Sequence, residues 1–157
     1  MTDTSEAFIA HQLVQQLRRD ERWVRHVVGV GHSFGSAIWM IEAAGYHDVD
    51  ALILTGCLHA PNPAQQAAIG AGLHPAGQDS AFTSAAPPEG YVTTMPGVRG
   101  SDFYYLPAAA SGAVALDEQT KATGTTGERA SMNLARDPAY SDVSTCPCSS
   151  PSATTTP

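Results

Sequence analysis

The pentapeptide Gly31-His32-Ser33-Phe34-Gly35 sets one hydroxyl between two glycines, within the longer stretch VVGVGHSFGSAIWM at 27–40. G-x-S-x-G is the pattern of a nucleophile elbow, a sharp strand-to-helix turn that exposes a serine at the carboxyl end of a β-strand. Such a turn holds its serine in a strained backbone conformation. Tiny residues are needed two positions away on either side, because strand and helix nearly touch there. Ser33 is therefore the candidate nucleophile, with Gly31, His32 and Gly35 as the structural elbow. The backbone amide of Phe34, at the positive end of the following helix, is the candidate oxyanion donor. Two other readings stay open. Ser33 could cap the helix in an ordinary glycine-rich turn. Gly29, Gly31 and Gly35 could form a dinucleotide-binding turn, although position 34 is Phe where that fingerprint needs Gly or Ala, and Asp50 precedes the second strand rather than following it.

A serine nucleophile needs a base. The six histidines are His11, His26, His32, His47, His59 and His74. His32 is adjacent to Ser33 and cannot turn back to share its proton. Glu42, Asp48 and Asp50 fall in the following helix or before the second strand, away from the active end. His59 and His74 are read as loop histidines, and Asp102, Asp117, Asp137 and Asp142 lack the context of a triad acid. Cys146-Pro147-Cys148 has no second ligand pair, so no metal and no cofactor are expected. Cys57, Trp39 and Met40 are read as core residues. Phe103, Tyr104 and Tyr105 suit an acyl pocket or the core of a cap equally well.

The elements that must position Ser33 follow from periodicity. Residues 5–20 read as an amphipathic helix with Ile9, Leu13 and Leu17 on its apolar stripe, flanked by Phe8 and Val14. Thr4 or Ser5 would cap it, with Glu6 in the first turn and Arg18 and Arg19 at the negative end of the dipole. HVVGV at 26–30 reads as a strand buried on both faces, as in a parallel sheet. FGSAIWMIEAA at 34–44 reads as a helix stopped by Gly45, and DALILT at 50–55 as a second buried strand. Strand, helix and strand make a βαβ unit. Residues 61–100 are rich in Pro, Gly and Ala, suggesting a lid or cap with a short helix near 63–70. A further short helix is expected at 113–122, and a Ser/Thr/Pro tail at the end.

The chain has 157 residues with a net charge of −7, which disfavours nucleic acid or an anionic membrane as partner. No apolar run approaches a membrane span, no signal peptide is visible, and three cysteines make no disulfide framework. A reducing, cytoplasmic location is the expectation.

FIAHQLVQQLRRD, VVGVGHSFGSAIW and DALILTG resemble the middle of an α/β-hydrolase-fold domain of the AB hydrolase-1 kind and of a fungal type. PEGYVTTMPGVRGSDFYYLP and VALDEQTKATGT resemble the cap of the same group. The resemblance implies an α/β fold class: a partial α/β-hydrolase core at 1–58, a loop-rich cap at 59–131 and a low-complexity, disordered tail at 132–157. It implies a serine hydrolase acting through Ser33 on a small ester-like or acyl substrate. The family's order of serine, acid, histidine is not completed here, and the family's early strands and second oxyanion donor have no counterpart. The expectation is a truncated domain, poorly folded and nearly inactive by itself. The alternative is a non-catalytic binding module that keeps the elbow as architecture.

Overall fold

A computed structural model describes residues 1–57, 60 and 62–141. The chain is mixed α/β and divides into two compact units, one of Asp3–Cys57 with Asn133 onward, the other of Met1–Thr2 with Leu58–Met132.

The first unit carries the elbow. Helix α1 spans Asp3–Asp20, with Asp3 and Glu6 in its first turn and Arg18 and Arg19 in its last, as the dipole favours. The apolar stripe expected to face the core does not. Ile9, Leu13 and Leu17 are 41%, 62% and 41% exposed, while Ala7 and Val14 are buried. Polar anchors set the helix rotation instead. His11 Nδ1 and Gln15 Nε2 bond Asp48 Oδ2, and Arg18 Nη2 donates to the Asp48 carbonyl. These residues share a face with Ala7 and Val14 at helical spacing.

Strand β1, Val28–His32, runs parallel to β2, Ala51–Thr55, with Val28 opposite Ala51 and His32 opposite Thr55. Helix α2, Phe34–Tyr46, connects them. Neither strand is buried on both faces, contrary to expectation. β1 alternates exposed and buried, leaving Val28 and Val30 outward, and Ile53 and Leu54 of β2 are also exposed. Only one face of a two-stranded sheet is covered among the described residues. On the covered face Trp39 and Leu52 occupy the space a side chain at Gly29 would need, with atoms 2.7–2.8 Å from its notional Cβ. Gly45 is not the helix stop. The left-handed C-cap is His47, at φ 52° and ψ 35°, its N–H bonded to Ala43 O. Histidine tolerates that region better than most residues.

The core is small: Ala7, Ala37, Ile41 and Ala135 are buried, with Ile38, Met40, Leu134 and Tyr140 packed around them. Leu134–Arg136 forms a 3₁₀ turn and Pro138–Ser141 a short helix. A tail starting at 132 is therefore corrected. Residues 134–140 still bury apolar surface on α2, because Leu134, Ala135 and Tyr140 interrupt the polar composition.

The second unit has more order than a loop-rich cap. It runs α3 (Pro63–Ala71), β3 (Leu73–Pro75), β4 (Tyr91–Thr94), α4 (Arg99–Phe103), α5 (Ser111–Gln119), β5 (Gly124–Thr125) and α6 (Thr126–Ser131). The three strands form an antiparallel sheet in the order β3-β4-β5. Asn62 caps α3 through its side chain, and Thr125 and Glu128 form a capping box on α6. Arg99 clamps Asp117 with two bonds of 2.7 and 2.8 Å, joining α4 to α5. No helix among the described residues is long and apolar enough to cross a membrane.

Candidate active site

The backbone reverses at Ser33. β1 delivers it, α2 begins at the next residue, and Ser33 itself sits at φ 50° and ψ −115°. A non-glycine residue there is strained, and such strain persists only where the surroundings over-determine it. Here they do. The Ser33 N–H donates to Thr55 O at 2.8 Å, and Ser33 O accepts from the Ser36 N–H at 3.0 Å. Ser36, fully buried, staples the first turn of α2 to the end of β2. Its Oγ donates to Thr55 O at 2.9 Å and accepts from the Thr55 N–H at 3.2 Å. Sequence reading passed over Ser36. Removing its hydroxyl as Ser36→Ala deletes both bonds to Thr55 and should cost about 1–2 kcal/mol, measurable by urea unfolding followed through tryptophan fluorescence.

Gly31 and Gly35 are not equivalent. A Cβ on Gly31 would lie 2.6 Å from Gly35 O and 2.7 Å from Ser36 Cα, so strand and helix do nearly touch there. A Cβ on Gly35 meets nothing within 4 Å. The requirement for a tiny residue applies to the strand side alone. Ser33 is exposed and makes no side-chain capping bond to α2. The first N–H groups of α2, beginning with Phe34, have no acceptor within the helix.

His32 is turned away from Ser33. Its Nδ1 lies 2.9 Å from Thr55 Oγ1, which itself donates to Gly31 O at 3.2 Å. With the Thr55 hydroxyl donating to Gly31 O, His32 Nδ1 is the donor to Thr55 Oγ1. The ring covers Gly56, which has φ +60° and no room for a side chain.

Two further histidines of this unit are engaged elsewhere, His11 with Asp48 and His26 with Asp50 at 3.4 Å, while His47 ends α2 through its backbone N–H. The Asp50 N–H pairs with Val27 O, six residues back along β1 from Ser33, a separation of roughly 20 Å at about 3.3 Å per residue. In the second unit His74 Nε2 bonds Asp79 at 3.0 Å. Asp117 is held by Arg99, Asp137 accepts from the Ala139 N–H, and Asp102 accepts from Ser101. His59, Asp142, Cys146 and Cys148 lie outside the described residues. β2 ends at Thr55 followed by Gly56 and Cys57, so its carboxyl end offers no acid for a ribose. Phe103 stacks under the Arg99 guanidinium at 4.9 Å, and Phe103 and Tyr105 are exposed, so neither is core of the second unit. Cys57, Trp39 and Met40 are half-buried.

The structure brings together one group that sequence reading left apart. His11, Glu42 and Asp48 each offer a ligand atom, all within 4.8 Å of one another. Burial, and then the adjacent Asp48 carboxyl, push Glu42 up to about 8. Burial also works to raise Asp48, but bonds from Glu42, Gln15 and His11 outweigh it and hold Asp48 below the usual carboxylate range. The available signal was Glu42 itself, a lone acid in the apolar run SAIWMIEAAG.

No protein-family model matches the chain, and no curated protein matches it.

Proposed function

We propose that the chain carries the nucleophile elbow of an α/β-hydrolase-type serine hydrolase, within a partial α/β-hydrolase fold, and acts on a small ester-like or acyl substrate. The observation that carries this reading is Ser33 at φ 50° and ψ −115°, exposed at the carboxyl end of a strand in a parallel pair. Ser33 Oγ attacks the substrate carbonyl, the bond to the alkoxide leaving group breaks, and the oxyanion formed between these events accepts from the Phe34 N–H. The Ser33 proton goes to a base and then to the leaving group. None of the imidazoles described beside this elbow is bonded to Ser33. An unassisted serine forfeits about six decades of turnover relative to a complete triad, and attack on a fluorophosphonate needs the same activation, so covalent labelling reports whether a base reaches Ser33.

A fluorophosphonate probe should label one site, identified by peptide mass spectrometry as Ser33, and Ser33→Ala should abolish the label. The engagement of the His11, His26 and His32 side chains elsewhere favours a second reading, a non-catalytic module that retains the elbow as architecture. Absence of labelling in a folded chain decides for that reading, and labelling that survives Ser33→Ala removes Ser33 from the mechanism.

A further inference from the structure

We propose that His11, Glu42 and Asp48 form a binding site for a single divalent transition-metal ion of the zinc type, at the opposite end of the βαβ unit from Ser33. Glu42 is 0% exposed, and no N–H or hydroxyl among the described residues reaches either carboxylate oxygen; the group beside it is the Asp48 carboxyl, to which it can bond only by carrying a proton. Asp48 Oδ1 is likewise buried and without a donor. Three carboxyl oxygens therefore meet in one place with no N–H or hydroxyl from another residue aimed at them, so either a shared proton or a cation must hold the two carboxyls together. Buried polar atoms are almost always satisfied, and each exception calls for a proton, a water or an ion.

The donor set fits a cation of this class. One imidazole nitrogen and two carboxylates suit zinc and its neighbours, and two carboxylates neutralise a charge of +2. Zinc bonds of about 2.0–2.2 Å set tetrahedral donors roughly 3.4 Å apart. Donors already within 4.8 Å of one another need little convergence. His11 Nδ1 and Asp48 Oδ2 are already drawn together at 2.8 Å, and neighbouring groups fix both side chains. Gln15 Nε2 holds Asp48 Oδ2 at 2.6 Å, and the Tyr46 ring stacks on the His11 ring with centroids 4.0 Å apart. His11 and Asp48 side chains keep 23% and 14% of their surface exposed, which leaves a way in and room for a fourth ligand from solvent. Arg18, bonded to the Asp48 carbonyl and to Asp50, is the opposing charge. Both bonds use Nη2, and although its Nε is buried without a partner, no Arg18 nitrogen bonds the three unsatisfied oxygens.

The test uses the full chain, stripped with chelator and titrated with Zn²⁺ by calorimetry, with Co²⁺ substitution for spectroscopy. One ion per chain is expected, and the Co²⁺ spectrum should lack thiolate charge-transfer bands, which separates this site from the cysteines. Glu42→Gln keeps the shape of the side chain and should weaken Zn²⁺ binding on the order of 100-fold. His11→Asn, on the half-exposed side, should do the same without disturbing the buried acid. Wild-type affinity in both variants, thiolate bands, or no binding by a folded wild-type chain would each overturn the proposal. The last result would mean that a proton on Glu42 alone satisfies the pair.

Discussion

Replacing Lys121 with methionine should lower the melting temperature of the second unit by on the order of 10 °C. Lys121 is only 4% exposed, and its ammonium donates to Asp79 Oδ2 at 2.8 Å and to Thr94 O at 3.0 Å, with Glu118 at 3.1 Å. Asp79 is 2% exposed and also takes His74 Nε2 and, on its other oxygen, the Ala81 N–H. A buried ion pair is not in itself a gain over a well-packed apolar pair, but removing one partner leaves the other charge uncompensated. Methionine preserves the stem of the side chain, so the loss reports the charge. The Lys121 bond first, and then the Ala81 N–H, pull Asp79 down to about 2. A folded-state value below the unfolded one gives stability that is complete above about pH 4 and is lost as pH falls toward 2. Hydrogen exchange on peptides covering β3 and β4 is the measurement. Protection should fall through that window in the wild type, and Asp79→Asn should start lower and vary less. Unchanged protection in Lys121→Met would show that the network carries no tension.

The elbow was legible because everything that makes it is local. A β-branched run, a Gly-x-Ser-x-Gly turn and an apolar helical run are adjacent in sequence, and the turn's geometry follows from their order. The rotation of α1 was not legible. Its apolar stripe points to one face, but His11, Gln15 and Arg18 reach Asp48 and Asp50 more than thirty positions away, and those bonds decide which face lies inward. The same long reach hid the His11, Glu42 and Asp48 cluster, for Glu42 alone gives no sign of its partners. In the second unit β4 pairs Val92 with Gly124 and Thr93 with His74. Neither pairing leaves a trace in a segment dominated by Pro, Gly and Ala. The packing of Ala135 on α2 was obscured because one small residue beside a polar tail has no periodic signature.

The two glycines of the pentapeptide should respond to alanine in opposite directions. Gly31→Ala puts a methyl group 2.6–2.7 Å from Gly35 O, Gly35 C and Ser36 Cα. These are backbone atoms in the first turn of α2, and the Ser36 bonds to Thr55 hold that turn against β2. No side chain can swing aside, so the helix must lift from the strand, at a cost of about 3 kcal/mol, the upper end for overpacking. Ser33 loses its imposed conformation in the same movement, and fluorophosphonate labelling should fall with it. Gly35→Ala meets open space inside a helix. It removes only the freedom of an unfolded glycine and should stabilise by about 0.4–1 kcal/mol, with labelling retained. Urea unfolding monitored by tryptophan fluorescence, with Trp39 lying over Gly29 of β1 and Trp23 already exposed in the folded chain, gives both signs from one experiment. A Gly31→Ala chain as stable as wild type would mean that β1 and α2 do not approach as described, and the positive φ of Ser33 would need another cause.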